Sequence, residues 1–413
     1  MTERARYRLG EFIRFKRGYD LPHLLREPGE FPIVSSSGIT GTHKEPMVEG
    51  PGVVTGRYGT LGEVFYISGA YWPLNTSLYV QDFKGNDPRF VAYYLRTVLS
   101  ANFNSAGAVP GVNRNVLHKI TVPKPPASKV SQQKIAAVLT AYDDLIETNR
   151  RRIALLEKMA EELYREWFVR MRFPGHRNTK FVKGVPEGWP FDLGSTFFDH
   201  VKGKSYSSPE ISDEEGSCFF ITLKSFHRRG GYRKEGLKYY SGSYKDDQCV
   251  QAGDVVMAVT DMTQDRAVVG EVARIPSLPG KQAVISLDVI RLLPKEMSTT
   301  FLYAYMRHSG FANYIKEFAN GANVLHLKPD LVGKQRILFP PKDLREQFAD
   351  LAKPIYQEAG ALEDANDLLA KTRDLLLPRL ISGKLSVEDL DIQFPPSMRE
   401  DASIPTQDLE RSP

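Results

Sequence analysis

Residues 132–168 read QQKIAAVLTAYDDLIETNRRRIALLEKMAEELYREWF, and their apolar side chains recur at alternating steps of three and four. The recurring positions are Ile135, Leu139, Tyr142, Ile146, Ile153, Leu156, Ala160, Leu163 and Trp167, with Asn149 at one further step. This is the heptad spacing of a coiled-coil helix. Such a helix cannot bury its apolar seam alone, so it needs a partner.

A second stretch of the same chain has the same spacing. Its seam positions are Phe348, Ala352, Ile355, Ala359, Leu362, Asn366, Leu369, Leu376 and Leu380, and Arg373 is the one charged interruption. Two long helices, each with one apolar seam and one seam asparagine, predict an intramolecular coiled coil in which the asparagines help to fix the register. The alternative is two unrelated surface helices that pack on separate cores.

Length and composition limit the class of protein. A chain of 413 residues is too long for one hydrophobic core, so two or three domains are expected. The 41% of hydrophobic and 25% of charged residues are typical of a soluble globular protein. No run of 18 apolar residues is present, which predicts a cytoplasmic protein. Cys218 and Cys249 form no CxxC pair, which argues against a disulfide framework or a cysteine-based zinc site.

The distribution of turn residues, prolines and charge divides the chain into six segments. They are a strand-rich domain (1–128), a central coiled-coil helix (129–170), a linker (171–190), a second strand-rich domain (191–341), a C-terminal coiled-coil helix (342–385) and a flexible tail (386–413). Residues 1–128 carry 15 basic and 10 acidic side chains, a net charge of +5. This is compatible with nucleic-acid contact but does not by itself assign it.

The second half of the chain repeats the order of the first. Lys16-Arg17-Gly18 corresponds to Lys202-Gly203, Gly52-Val53-Val54 to Asp254-Val255-Val256, and Val122-Pro123 to Phe339-Pro340. The sequences of the two helices align as well, and Leu155 corresponds to Leu369. A unit of roughly 200 residues used twice predicts a molecule with a pseudo-twofold internal repeat.

The sequence lacks the motifs of an autonomous enzyme. Gly203-Lys204-Ser205 resembles the end of a phosphate-binding loop, but Phe198 stands where the first glycine would be. There is no GxGxxG, no HExxH and no Asn/Asp-Pro-Pro-aromatic loop of an amino-methyltransferase. Asp254 and Glu271 could form a nuclease carboxylate pair, but no lysine follows at the required spacing. We therefore predict no catalytic, cofactor-binding or metal-binding residue.

The helical regions carry a resemblance to a known family. The similar strings are Gln132 to Ala136, Asp144 to Arg150, Leu155-Leu156-Glu157, Trp167-Phe168, Phe173-Pro174-Gly175, Gly184 to Trp189 and Leu376 to Leu385. They resemble the central and C-terminal repeated regions of the DNA-specificity subunit of type I restriction-modification systems, and the similarity of layout covers nearly the whole chain.

The resemblance implies an α+β fold in which two strand-rich target-recognition domains are separated by two long helices that form an antiparallel coiled coil. In the family each domain reads half of a bipartite double-stranded DNA target. The helices dock two methyltransferase subunits, which motor-nuclease subunits join. The chain itself would be non-catalytic, and S-adenosylmethionine, ATP and magnesium would be bound by the partners.

Two other classes of protein remain as alternatives. The chain could be a coiled-coil adaptor with two protein-binding domains. It could also be the recognition module of a type IIG-like enzyme, although it has neither the room nor the motifs for a methyltransferase-nuclease.

The resemblance also suggests contact residues. Gly56–Gly62 is similar to a glycine-rich loop of the family's recognition domains, and Arg57 in it is expected to bind guanine or phosphate. The alternative is a strand-linking turn with a solvated arginine. The corresponding loop at 260–264 lacks this pattern. The expected DNA contacts are Ser36, Ser37, Lys44, Arg57, Tyr58, Thr60, Asn113, Arg114, Lys204, Arg228, Thr260, Gln264, Asn323 and Lys328, and the expected partner contacts are Arg151, Tyr164, Trp167 and Phe168.

Overall fold

The computed structural model describes residues 6–57, 63–103 and 113–399. Its fold is α+β, with two long helices and several small sheets. The chain forms two compact units, unit 1 (Met1–Thr148 and Asn366–Pro413) and unit 2 (Asn149–Ala365). Both units thus contain one segment of each long helix. None of the described helices combines the length and hydrophobicity that crossing a membrane requires.

Unit 1 contains two main sheets. Its strands are β1 (Arg6–Arg8), β2 (Arg14–Arg17), β3 (Phe31–Ser35), β4 (Gly38–His43), β5 (Gly52–Gly56), β6 (Val64–Ile67), β7 (Trp72–Pro73), β8 (Ser77–Asp82) and β9 (Thr121–Pro123), and its helices are α1 (Leu9–Phe12), α2 (Pro88–Phe103), α3 (Arg114–Lys119) and residues 129–148 of α4 (Lys129–Tyr164). The antiparallel sheet has the order β2-β8-β5-β6, the second sheet has the order β4-β3-β7, and β1 pairs with β9.

Unit 2 contains a four-stranded and a five-stranded sheet. Its strands are β10 (Phe181–Val182), β11 (Val185–Pro186), β12 (Phe191–Leu193), β13 (Phe198–Lys202), β14 (Ile211–Ser212), β15 (Cys218–Ile221), β16 (Lys238–Tyr240), β17 (Cys249–Val250), β18 (Val255–Ala258), β19 (Thr260–Asp261), β20 (Val272–Arg274), β21 (Ala283–Ile285), β22 (Val289–Pro294), β23 (Leu325–His326) and β24 (Arg336–Leu338). Its helices are α5 (Gly194–Phe197), α6 (Thr299–His308), α7 (Phe311–Ile315), α8 (Asp330–Lys334) and residues 342–365 of α9 (Lys342–Ile381). The sheet orders are β13-β22-β18-β20 and β14-β16-β15-β21-β17.

The two units share one strand order, which confirms the predicted internal repeat. The sheet β2-β8-β5-β6 matches β13-β22-β18-β20, the parallel pair β3–β7 matches β15–β21, and the pair β1–β9 matches β12–β24. Gly18 and Gly203 follow the equivalent strands β2 and β13. A Cβ atom on Gly18 would lie 2.2 Å from the carbonyl oxygen of Leu74, and one on Gly203 would lie 2.0 Å from that of Ser286. At both positions a neighbouring chain segment passes too close for any side chain, so glycine is required.

Within each unit the segments of α4 and α9 run antiparallel. In unit 2, Arg152 pairs with Glu358 at 3.0 Å, and the rings of Tyr164 and Phe348 lie 5.7 Å apart. Later residues of α4 therefore contact earlier residues of α9, as expected for antiparallel helices. Every predicted seam position of both helices is buried or half-buried, whereas Leu145, Leu155, Leu368 and Leu375 lie off the seam and are exposed. The heptad prediction is confirmed.

The charged interruption of the seam, Arg373, has a partner in unit 1. Its guanidinium bonds the carboxylate of Asp143, which also accepts a hydrogen bond of 2.6 Å from the hydroxyl of Tyr93. Arg96 lies 3.6 Å from the same carboxylate. The half-buried arginine is therefore neutralised within the seam, as a charge removed from water requires.

Three of the expected partner contacts belong instead to the core of unit 2. Tyr164, Trp167 and Phe168 are buried, and all three rings lie within 6.1 Å of the ring of Phe348. After α4 the chain continues as a π turn (Arg165–Val169), whose wider turn changes the side-chain phase. The ring of Tyr164, which precedes this turn, and the rings of Trp167 and Phe168 within it all lie in the core and are not available to a partner.

Part of the segment predicted to be a flexible tail is packed on unit 1. Val387 is buried in the same core as Ile135. The side chain of Glu388 accepts a hydrogen bond from Ser131, and its carbonyl oxygen accepts one of 2.6 Å from Lys134 Nζ. One apolar side chain and these hydrogen bonds hold residues 387–388 on α4, whereas residues 400–413 of the predicted tail lie outside the described residues.

His308 at the end of α6 is a half-buried histidine. Its ring centroid lies 6.0 Å from that of Tyr164. Burial, together with the positive charges of Arg307 and Arg165, lowers the pKa of His308 to about 3. The folded chain therefore holds this ring neutral at neutral pH.

We expect acidification below about pH 6.5 to destabilise unit 2 by up to about 1.4 kcal/mol per pH unit. The unfolded chain gains a proton on His308 near pH 6.5, whereas the folded chain excludes it until about pH 3. Urea unfolding at several pH values measures this slope. His308→Phe should reduce it, and His23→Phe, at an exposed position, should not. If the unfolding free energy of the His308 variant depended on pH as in the wild type, the assignment of His308 as a neutral histidine in the folded chain would be contradicted.

Candidate nucleic-acid interface

An arginine pair marks one edge of unit 1. Arg17 Nε and Arg57 Nη1 both donate to the carbonyl oxygen of Asn75, at 3.3 and 3.2 Å. The side-chain amide of Asn75 is in turn hydrogen-bonded to Asp20. The shared acceptor brings two guanidinium groups together at the end of β2 and just after β5. Such a pair can bind phosphate or the acceptor edge of guanine.

The other expected contacts of the first domain lie on separate turns. Ser36 and Ser37 form the tip of the β3–β4 hairpin, where Ser37 is exposed and its hydroxyl lies 3.0 Å from that of Ser35. Lys44 follows β4 and pairs with Glu27 at 3.0 Å. The hydrogen bond to Glu27 raises the pKa of Lys44, and this charge is already compensated within the domain.

The start of α3 contains two further expected contacts. The side chain of Asn113 accepts a hydrogen bond of 2.9 Å from the backbone N–H of Asn115 and so caps the helix. Arg114 is exposed at the first helical position. Tyr58 and Thr60, which were also predicted to contact DNA, lie outside the described residues.

One buried carboxylate organises the corresponding loop of unit 2. Asp261 is 3% exposed and accepts hydrogen bonds from the backbone N–H groups of Thr263 (3.0 Å), Val268 (2.7 Å) and Val269 (3.2 Å). Burial alone would raise the pKa of Asp261, but the N–H groups of Val268 and Thr263 outweigh it and lower the pKa. Both ends of the loop are thus fastened to one side chain.

This loop is joined to a second one, and the two (262–267 and 321–324) are called the loop pair below. Gln264 Nε2 donates to the carbonyl oxygen of Ala322 at 3.1 Å, and β19 pairs with β23 behind the loops. Asn323 is exposed on the second loop, and Lys328 is exposed two residues after β23; both were predicted to contact DNA. The hydrogen bond of Gln264 shows that it joins the two loops.

Three expected contacts of unit 2 have other surroundings. Thr260 is buried, and its hydroxyl lies 3.4 Å from Nδ1 of His326, so this prediction is corrected: β19 turns the side chain inward. Lys204 is half-buried, and its backbone N–H donates to Ile285 in the crossing after β13. Arg228 lies 3.6 Å from Asp265.

The structure also describes the residues considered for catalysis and for partner binding. Asp254 is paired with Arg291 at 3.1 Å. Among the described residues, no three His, Cys, Asp or Glu side chains are grouped as a metal ion would require. Of the expected partner contacts, Arg151 alone is exposed on α4.

Four residues of these surfaces were not predicted as contacts: Arg17, Asn75, Asp261 and Met262. Lys16-Arg17-Gly18 indicates only the internal repeat. An Asp-x-Thr spacing such as Asp261 to Thr263 is a known signal for a side chain that bonds the backbone two residues later, and could have indicated the loop. The contact of Arg17 with Asn75 spans 58 positions, so no local pattern shows it.

Comparisons with known proteins agree with this architecture. Residues 2–158 match the family model described as the type I restriction modification DNA specificity domain. The chain is 26% identical over 355 residues to the type I restriction enzyme MjaIX specificity subunit of Methanocaldococcus jannaschii, covering 79% of this chain and 76% of that protein. It is 22% identical over 343 residues to the HindI specificity subunit of Haemophilus influenzae, covering 68% and 72%.

A solved structure shows the same fold. The S subunit of a type I restriction-modification system from M. genitalium matches with a TM-score of 0.55 at 15% identity, covering 92% of this chain and 96% of that one. Residues 2–158 thus match the type I restriction modification DNA specificity domain, and the chain is similar over most of its length to specificity subunits of type I restriction enzymes.

Proposed function

We propose that this chain reads a bipartite double-stranded DNA target, with one half-site bound by each unit. The observation that carries the proposal is the repeated strand order, β2-β8-β5-β6 and β13-β22-β18-β20. A duplicated binding domain supplies two reading surfaces with the same backbone. Their side chains differ, so the two half-sites should differ in sequence.

The two proposed reading surfaces differ in the chemistry of their side chains. In unit 1 the arginine pair, Arg17 and Arg57, offers charge and bidentate donors. In unit 2 the two arginines beside the loop pair have acidic partners: Arg228 lies 3.6 Å from Asp265, and Arg266 lies 2.6 Å from Glu317. Unit 2 therefore depends more on its exposed polar and apolar side chains.

The long helices are the proposed docking surface for two methyltransferase subunits, which motor-nuclease subunits would join. Leu368 and Leu375 are 67% and 71% exposed, and their spacing of seven places them on one face of α9. Leu145 and Leu155 are exposed off the seam of α4. Leucines outside the seam of a coiled coil favour contact with a further protein surface.

Catalysis is assigned by this proposal to the partner subunits. They would bind S-adenosylmethionine for methylation, and ATP with magnesium for translocation and cleavage, while this chain supplies sequence recognition. The assembly would act on DNA in the cytoplasm.

Co-expression with the methyltransferase subunit of the same system, followed by methylation mapping, tests the proposal. We expect methylation at one motif composed of two half-sites and a fixed gap, and no methylation by either protein alone. A single uninterrupted motif, or methylation by the chain alone in a partner-free preparation, would contradict the proposal.

Arg57→Ala is expected to weaken binding of the assembled complex to its target by about 1–3 kcal/mol and to relax one base position, if Arg57 reads a base. If Arg57 contacts a phosphate, its loss should instead weaken binding to all DNA sequences alike. It should also lower by about one the slope of the logarithm of the binding constant against the logarithm of the salt concentration. Titrations at several salt concentrations separate the two roles. Lys129→Ala, at an exposed position at the start of α4, is the control and should change neither quantity.

A further inference from the structure

Met262 is an exposed apolar side chain on a loop whose shape is fixed. It is 68% exposed, although its neighbour Asp261 is 3% exposed. The carboxylate of Asp261 binds the N–H groups of Thr263, Val268 and Val269, and so holds the backbone on both sides of the loop tip. A thioether held in water by a rigid loop gains free energy when an apolar group covers it.

The surroundings of Met262 indicate what covers it. Gln264 of the same loop bonds the carbonyl oxygen of Ala322, and so brings Met262 into one surface with the exposed Asn323. The arginines near this loop are paired with Asp265 and Glu317. Because those charges are compensated, recognition here relies on polar and apolar contacts. In the major groove the apolar feature of a base edge is the C5-methyl group of thymine.

We propose that Met262 reads a thymine methyl group in the half-site bound by unit 2, and that Asp261 is the positioning residue that holds it there. The inference rests on the proposed function, since it requires that unit 2 binds DNA. It adds the chemical class of the contact: an A·T base pair recognised through its methyl group and not through a hydrogen bond or a phosphate.

The test uses the complex with its methyltransferase subunit and a duplex that carries the mapped motif. Each thymine of both half-sites is replaced in turn by deoxyuridine, which lacks only the methyl group. We expect about fourfold weaker binding at one position of one half-site, the value for a single buried methyl group. With Met262→Ala the same replacement should have no further effect, whereas replacements in the other half-site should behave as in the wild type.

Asp261→Asn tests the positioning role. It keeps Met262 but weakens the bonds that fix the loop, so the deoxyuridine effect should shrink while binding of the other half-site stays unchanged. Asp261→Glu, which restores the carboxylate, should recover part of the effect. Asp247→Asn is the control, because this exposed carboxylate of unit 2 lies outside the loop pair. It should leave the deoxyuridine effect intact.

The outcomes separate the inference from the function on which it rests. If the wild-type complex binds no specific duplex, the proposed function itself fails. If it binds, but no deoxyuridine position couples to Met262, or if the half-site contains only G·C pairs, the inference is overturned and the function stands. Loss of methyltransferase binding in Met262→Ala, with DNA contacts unchanged, would assign the residue to a protein interface and would also overturn it.

Discussion

Phe348→Ala is expected to destabilise unit 2 by about 3–5 kcal/mol, the cost of truncating a fully buried phenylalanine. Phe348 is 0% exposed, and its ring lies within 6.1 Å of the rings of Tyr164, Trp167, Phe168 and Phe301. Removal of the ring leaves a cavity where α4, α6 and α9 meet. Guanidinium chloride unfolding followed by tryptophan fluorescence measures the loss, because Trp167 is in direct contact.

Leu351→Ala is the matched control for this prediction. Leu351 lies three residues along the same helix but is 50% exposed, so its truncation should change stability by no more than about 0.5 kcal/mol. Equal effects of the two variants would show that the cluster is not the core of unit 2. The comparison also tests the corrected assignment of Trp167 and Phe168, since a core role predicts loss of folding and a partner contact predicts a stable chain.

Insertion of one heptad into both long helices, at the boundaries 148/149 and 365/366 between the two units, is expected to change the gap of the recognised DNA motif. Seven helical residues add about 10 Å along a helix axis and nearly preserve the phase of the seam. That length corresponds to about three base pairs of DNA. The half-sites should stay the same, because the reading surfaces are unchanged. Methylation mapping of the variant complex measures the gap.

The control for the double insertion is a heptad inserted into α4 alone. Its added seam residues would find no partners on α9, so it should mainly lose stability. An unchanged gap in the doubly lengthened variant would contradict a role of the helix pair as a ruler. It would show that the methyltransferase subunits position the recognition domains.

The sequence was informative where the structure depends on local periodicity. Seam positions such as Leu139 and Ala352 follow from the heptad alone, because a helix presents every third and fourth residue to one side. The repeat was visible because the same glycines, such as Gly18 and Gly203, are needed at the same chain crossings. Arg57 was expected from a glycine-rich context, but the structure adds that it shares an acceptor with Arg17.

The sequence by itself determined the two amphipathic helices and the order of the duplicated segments, and it carried the resemblance to type I specificity subunits, since each depends on spacing along the chain. Only the tertiary structure decided which side chains lie at the surface. Trp167 and Phe168 were expected to contact a partner, yet both lie in the core of unit 2. Asp261 holds its loop from inside while Met262 stays outside. Neighbours in sequence separate in this way because burial is set by packing between distant segments.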